Sequence, residues 1–274
     1  MKKCIKIIPN KVFIALLAIL GVLILLNFLS IYMENYMNVS GKSSYVLRKY
    51  VVTLFDFDGE RNIPTFFSTL ILLASGVLLY YISKVEKTKI NNKYHKRWFI
   101  LSCVFIFLAM DELLMIHELF SGLHFRAFYS HLFNTEQLGV FHSTWIIPYL
   151  ILLIFLGIYY FKFIFSLPKN TMLLFIVSGT IFVTGAVGIE MIEGFLADKS
   201  GEILNSTVHF RLWVAFEETM EMFGIILFIK ALLGYLSMSN NVSNLLLDIH
   251  FVNKNDKIHT LHSKDDLVED TFHA

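Results

Sequence analysis

Six stretches of this chain stay apolar over about twenty residues or more: 12–33, 63–83, 98–121, 144–165, 171–197 and 211–236. A helix rises about 1.5 Å per residue, so roughly 20 residues cross a hydrocarbon core. Lipid gives backbone N–H and C=O groups no partner, so such stretches satisfy themselves as helices. The expected fold class is all-α: a polytopic integral membrane protein whose six-transmembrane-helix bundle fills residues 1–236, followed by a polar tail over 237–274. Charged residues make up only 16% of the chain, against about 25% in soluble domains.

The basic residues set the expected orientation. Lys2, Lys3, Lys6 and Lys11 precede the first run; Lys84, Lys87, Lys89, Lys93, Lys96 and Arg97 follow the second; Lys162 and Lys169 bracket the fourth-to-fifth connection. Positive segments stay in the cytoplasm, which places both termini inside a cell membrane. The first run is longer than a signal-peptide core and no small-x-small site follows it, so it reads as a retained helix. Tyr80, Tyr81, Trp98, Tyr159, Tyr160 and Tyr235 would mark the inner interface, Trp145 and Trp213 the outer. In the outer loop, Tyr50–Phe55 reads as a short strand or an interfacial segment, and Asn62 before Pro64 as a helix cap.

Against this background the acids stand out. The third run contains Asp111, Glu112, His117 and Glu118; the fifth contains Glu190 and Glu193; the sixth contains Glu217, Glu218 and Glu221. Measured along a helix from the outer boundary, Asp111 lies roughly 16 Å deep, Glu190 roughly 12 Å and Glu221 roughly 15 Å. All three groups therefore fall at one level in the outer half of the bilayer. At about 100° per residue, a continuous helix points Asp111 and Glu118 within about 20° of each other, and the three-residue step of Glu190 and Glu193 lets that pair converge. Small residues in the fifth run, Ser178, Gly179, Gly185, Ala186 and Gly188, favour close helix approach at that level.

Each intramembrane charge costs at least about 2.5 kcal/mol. Arg211, Arg126 and His117 are the nearby cations, too few for eight carboxylates. The deficit calls for raised pKa values, a water-filled cavity or a bound cation. Carboxylates with an imidazole suit a divalent Zn, Fe or Mn ion. The expected ligands are Asp111, His117, Glu118, Glu190, Glu193, Glu218 and Glu221, with Glu112 and Glu217 as the catalytic acids or bases. His124, His131, His142 and His209 are secondary candidates. Such a site would serve as a membrane-embedded hydrolase or oxidoreductase acting on membrane lipid or another hydrophobic small molecule.

Two other functions use the same residues. Intramembrane acids relay protons or coordinate coupling ions in transporters, with Asn27, Ser68, Thr69, Ser75 and Ser102 available to line an inner path. Alternatively the acids hold the bundle together or dock a partner. The sequence has no His-Glu-x-x-His, phosphate-binding loop, Gly-x-Ser-x-Gly or dinucleotide fingerprint. Two cysteines, Cys4 and Cys103, make neither a disulfide framework nor a thiolate metal site. A net charge of +1 points to no nucleic-acid partner.

Overall fold

The computed structural model describes residues 4–40, 46–89, 94–133, 138–200, 208–239 and 245–248. These are almost entirely helical. Ten α-helices follow in order: α1 (Pro9–Ser40), α2 (Val46–Phe55), α3 (Ile63–Thr88), α4 (His95–Leu114), α5 (Ile116–Leu119), α6 (Leu123–Phe133), α7 (Ile146–Ile164), α8 (Lys169–Val183), α9 (Glu190–Ser200) and α10 (Val208–Ser239). One short antiparallel pair, β1 (Cys4–Ile7) with β2 (Leu245–Asp248), joins the segment before α1 to the segment after α10, with Cys4 opposite Asp248. The apolar stretch after Ser237 thus pairs as a strand, while the rest of the tail, 249–274, lies outside the described residues.

Among the described residues, five helices are long and apolar enough to cross a membrane: Pro9–Tyr36, Ile63–Thr88, Ile146–Ile164, Lys169–Ala197 and Val208–Met238. Their length and composition suggest a membrane protein. α4, at 20 residues, is as long as α7 but more charged, carrying Lys96 and Arg97 at one end and Asp111 and Glu112 at the other. It lies along α3, where Gly76 leaves so little room that an added Cβ would sit 2.8 Å from Ile106 Cγ1. Ser102 Oγ donates to the Gly76 carbonyl at 2.7 Å across the same contact.

α10 is the central helix, with α8, α1 and α3 around it. Its C-terminal half buries Met222, Ile225, Ile226, Ile229, Leu232, Leu233 and Leu236, while Phe223, Lys230 and Gly234 along one side are half-buried. Gly224 brings α8 against it, a Cβ there falling 2.9 Å from the Phe182 amide nitrogen. At the inner end Trp98 is a core residue, not an interface anchor: its ring meets Phe163, Phe175 and Tyr235. Tyr80, Tyr81 and Tyr159 stay exposed there.

Of the two readings of Tyr50–Phe55, a short strand or an interfacial segment, the strand does not hold. Tyr50–Phe55 belongs to α2, whose apolar residues segregate to one side. The chain then turns through 56–62, with Arg61 at φ 58°. Asn62 caps α3 by accepting from the Thr65 amide at 3.1 Å. Its Nδ2 donates to the carbonyls of Asp56 and Gly59. Buried Asn27 on α1 holds the same turn, its Oδ1 accepting from the Phe57 amide at 3.0 Å.

Candidate functional site

The third apolar run is not one continuous helix. α4 ends at Met115, which takes the left-handed conformation (φ 57°, ψ 44°) while its N–H still reaches the Asp111 carbonyl at 2.7 Å. The reason is the Asp111 side chain, since a short carboxylate competes with the helix for backbone donors. Its Oδ1 accepts from the His117 amide at 2.7 Å and starts α5. Oδ1 also lies 3.3 Å from His117 Nδ1, and Oδ2 accepts from Tyr149 of α7 at 2.8 Å. Asp111 is buried and bonded at both oxygens. With Nδ1–H held by a carboxylate, Nε2 becomes the lone-pair nitrogen of His117.

The fifth run is interrupted as well. Between α8 and α9 the chain passes through a π-helical segment, Thr184–Ile189. At Gly185 a Cβ would lie 3.0 Å from the Glu217 carbonyl oxygen and 3.1 Å from both Glu221 Cγ and Met220 Cβ. This is the close approach expected of the small residues, although at Gly179 a Cβ would meet open space. Immediately after the π segment come Glu190 and Glu193, facing Glu217 on α10. Glu190, Glu193 and Glu217 each offer an oxygen within 4.8 Å of the others, so the group can hold a metal ion. Carboxylates gathered this closely call for a proton or a cation between them. Glu193 Oε1 is buried with no hydrogen-bond partner among the described residues.

Every residue expected at the site lines one cavity of about 740 Å³: Asp111, Glu112, His117, Glu118, Glu190, Glu193, Glu217, Glu218 and Glu221. Glu221 faces Glu112, Glu190 and Asp111; Glu218 faces Glu221, Glu112, Glu60 and Glu193. These two glutamates of α10 bridge the Asp111–His117 side of the cavity to the Glu190–Glu193–Glu217 side. Glu118, beyond the α4 bend, is exposed at the rim. Among the described residues the cavity lining holds ten acids and one imidazole.

The loop 56–62 closes the outer side and supplies two of those acids, Asp58 and Glu60. It lies outside the spanning segments. Burial, then the neighbouring Asp56 carboxylate, push Asp58 up to about 6, with Arg211 opposing. Burial also raises Glu60; His117 opposes it, and Glu118 adds to it. Burial raises Asp56 despite its ion pair with Arg211.

The cations expected to offset the cluster are engaged elsewhere. Arg211 bridges Glu34 and Asp56, at 2.6 Å from the latter. Arg126 meets His142 at 2.9 Å and 3.3 Å. Neither arginine lines the cavity, nor do His124, His131, His142 or His209. Tyr149 is a partner that sequence reasoning missed. The one available signal for Tyr149 was its phenol in the outer end of an otherwise apolar run. Asn27, Thr69, Ser75 and Ser102 each bond to backbone within the bundle and line no part of the cavity.

No curated protein and no solved structure matches the chain. A family model does, over residues 14–236, a range that takes in every acid of the cavity. The chain belongs to the family described as a domain of unknown function, DUF8692.

Proposed function

We propose that this is a multi-pass cell-membrane protein with both termini in the cytoplasm. α4 with α5 serves as the sixth crossing. The cavity near the outer face binds a divalent metal ion, Zn, Fe or Mn, for chemistry on a lipid or other hydrophobic substrate. The observation that carries this reading is the Glu193 carboxylate. It lies beside Glu190 and Glu217 with its Oε1 buried and without a hydrogen-bond partner among the described residues, in a cavity whose described lining has ten acids and one imidazole. Ligands on opposite sides of an ion, each about 2.1 Å from it, stand about 4.2 Å apart. The 4.8 Å limit on the three carboxylates therefore needs only a small side-chain rotation.

Glu190, Glu193 and Glu217 would hold the metal, and the metal would supply Lewis acidity and a more acidic bound water. Hard oxygen donors with a nearby imidazole favour these ions over thiolate-seeking ones. This grouping moves Glu217 from a catalytic role to a ligand. Glu112, lining the same cavity as Glu221, is the general base, and His117, held by Asp111, is the second proton-handling group. Glu218, Glu221 and Glu118 complete the acidic wall.

Coupled transport through the same acids finds less support, because the hydroxyl and amide side chains that would continue an inner path bond within the bundle. The test is elemental analysis of protein purified without chelators. About one divalent ion per chain is expected in the wild type and none in Glu193→Gln. No ion in the wild type, with no thermal shift on adding Mn, Fe or Zn, would sink the metal reading. Chelator-insensitive, gradient-driven uptake in proteoliposomes would replace it with transport.

A further inference from the structure

α7 is held at its two ends and loose between them. Ile146 is buried at its outer end, and Tyr160 and Phe163 at its inner end; none of residues 147–159 is buried. Two phenols tie it to α4: Tyr149 donates to Asp111 Oδ2 and Tyr160 to the Arg97 carbonyl, each at 2.8 Å. Eleven residues separate them, roughly 16 Å along the helix. Along that length α7 forms one wall of the cavity, through Tyr149, Leu152, Leu153 and Leu156. Leu152 lines the cavity and is 46% exposed. Beside the lining leucines α7 bears Ile151, Ile154, Phe155 and Ile158, exposed and outside the cavity, so this wall is a single loosely packed helix.

The lining has two zones. The acids gather at and above the level of Asp111. Below them the walls are apolar, through Val104 and Leu108 of α4, Leu153 and Leu156 of α7, and Phe182 and Val183 of α8. From Val104 to Asp111 this apolar zone extends roughly 10 Å. The volume, about 740 Å³, falls in the range of small-molecule sites. A water column there would leave apolar walls hydrated beside a bilayer, whereas a hydrocarbon chain removes that contact.

We propose that the cavity admits a bilayer amphiphile sideways along α7. Its hydrocarbon chain rests against Val104, Leu108, Leu153, Leu156 and Phe182, and its head lies among the acids. Ten carboxylates facing one imidazole repel an anionic head even after one divalent ion is bound, so the head carries no net negative charge. The assignment rests on the metal reading only for the chemistry done at the head; the route and the chain seat stand on the packing of α7.

The test uses the full chain in phosphatidylcholine vesicles containing phosphatidylcholine with a diazirine midway along one acyl chain. After photolysis, adducts are mapped by peptide mass spectrometry. Adducts on Val104, Leu108 or Leu153 are expected, beside those on the exposed Ile154 and Ile158. Leu156→Trp is expected to cut the inner adducts at least fivefold, and Ile158→Trp, at a residue 73% exposed outside the cavity, to leave them unchanged. Adducts confined to Ile151, Ile154 and Ile158 in the wild type overturn the proposal, whether or not Leu156→Trp folds. Inner adducts that survive in a folded Leu156→Trp overturn the route. Equal inner labelling by a diazirine phosphatidylglycerol overturns the head-group assignment. Metal content is measured on the same samples. Inner adducts without metal defeat only the metal reading, and metal without inner adducts defeats only this one.

Discussion

The Tyr149 hydroxyl donates to Asp111 Oδ2 at 2.8 Å, joining α7 to the bend at the end of α4. Asp111 in turn holds His117 through its other oxygen. Removing the phenol hydroxyl by Tyr149→Phe leaves a buried carboxylate oxygen short of one donor. A hydrogen bond to a charged group contributes about 1.5–3 kcal/mol. Thermal unfolding in detergent is expected to fall by a few degrees while metal content stays unchanged. An unchanged melting temperature would mean that the bond does not hold α7 in place.

Gly185 sets the spacing between the π segment and α10. Gly185→Ala forces a Cβ to 3.0 Å from the Glu217 carbonyl and is expected to destabilise by about 1–3 kcal/mol. Gly179→Ala, which meets nothing within 4 Å, is expected to be neutral or to stabilise by up to about 1 kcal/mol through helix propensity. Chemical unfolding of both variants in one detergent separates the cases. Equal effects would argue that small residues matter here by propensity alone.

Arg211→Met takes the guanidinium from both Glu34 and Asp56 and leaves two carboxylates facing each other around the outer turn. Breaking a largely buried pair costs about 3–5 kcal/mol, and because these groups keep some solvent contact the lower figure is expected. Arg211→Lys is expected to recover only part of it, since a point charge cannot fork between two carboxylates. Full recovery by Lys, read from the same unfolding curves, would show that charge alone suffices.

Asp58 gives a pH signature. Its folded value of about 6 lies above the unfolded carboxylate's, about 3.9. The folded protein therefore holds that proton more tightly. The associated stability is complete below about pH 4 and is lost as pH rises through about 6. Asp58→Asn removes this dependence. The variant is expected to match the wild type near pH 4 and to exceed it at pH 7, the gap opening between. Asp58 is solvent-exposed on its outer side, so the gap is expected to stay below about 1 kcal/mol. Melting curves across pH that remain parallel would contradict it.

What could be read without coordinates was whatever depends on period and depth. The apolar runs, the Asn62 cap and the common level of the acids follow from rise per residue and from the cost of charge in lipid. The departures all occur where a side chain overrules the backbone pattern. Asp111 captures the His117 amide and ends α4, so the seven-residue alignment of Asp111 with Glu118 on one helix does not hold. Arg211, counted among the cations of the site, turns away to Glu34 and Asp56. Trp98 looks like an interface anchor because it follows Lys96 and Arg97, yet Phe163, Phe175 and Tyr235 enclose it. Tyr149 was hidden because a single polar tip in an apolar run carries no periodic signal.

The π-helical segment has a consequence for how this arrangement can arise or be lost. Each residue of an ordinary helix advances the chain by about 100°, and a π turn accommodates one more residue than its neighbours do. Regular winding of all six residues Thr184–Ile189 would swing Glu190 and Glu193 about a quarter-turn off α10, toward the fatty surroundings, whereas removing one of the six would restore regular winding with both acids still turned toward α10. The direction in which the pocket's acids point thus rests on the wide winding of a stretch that bears no acid at all.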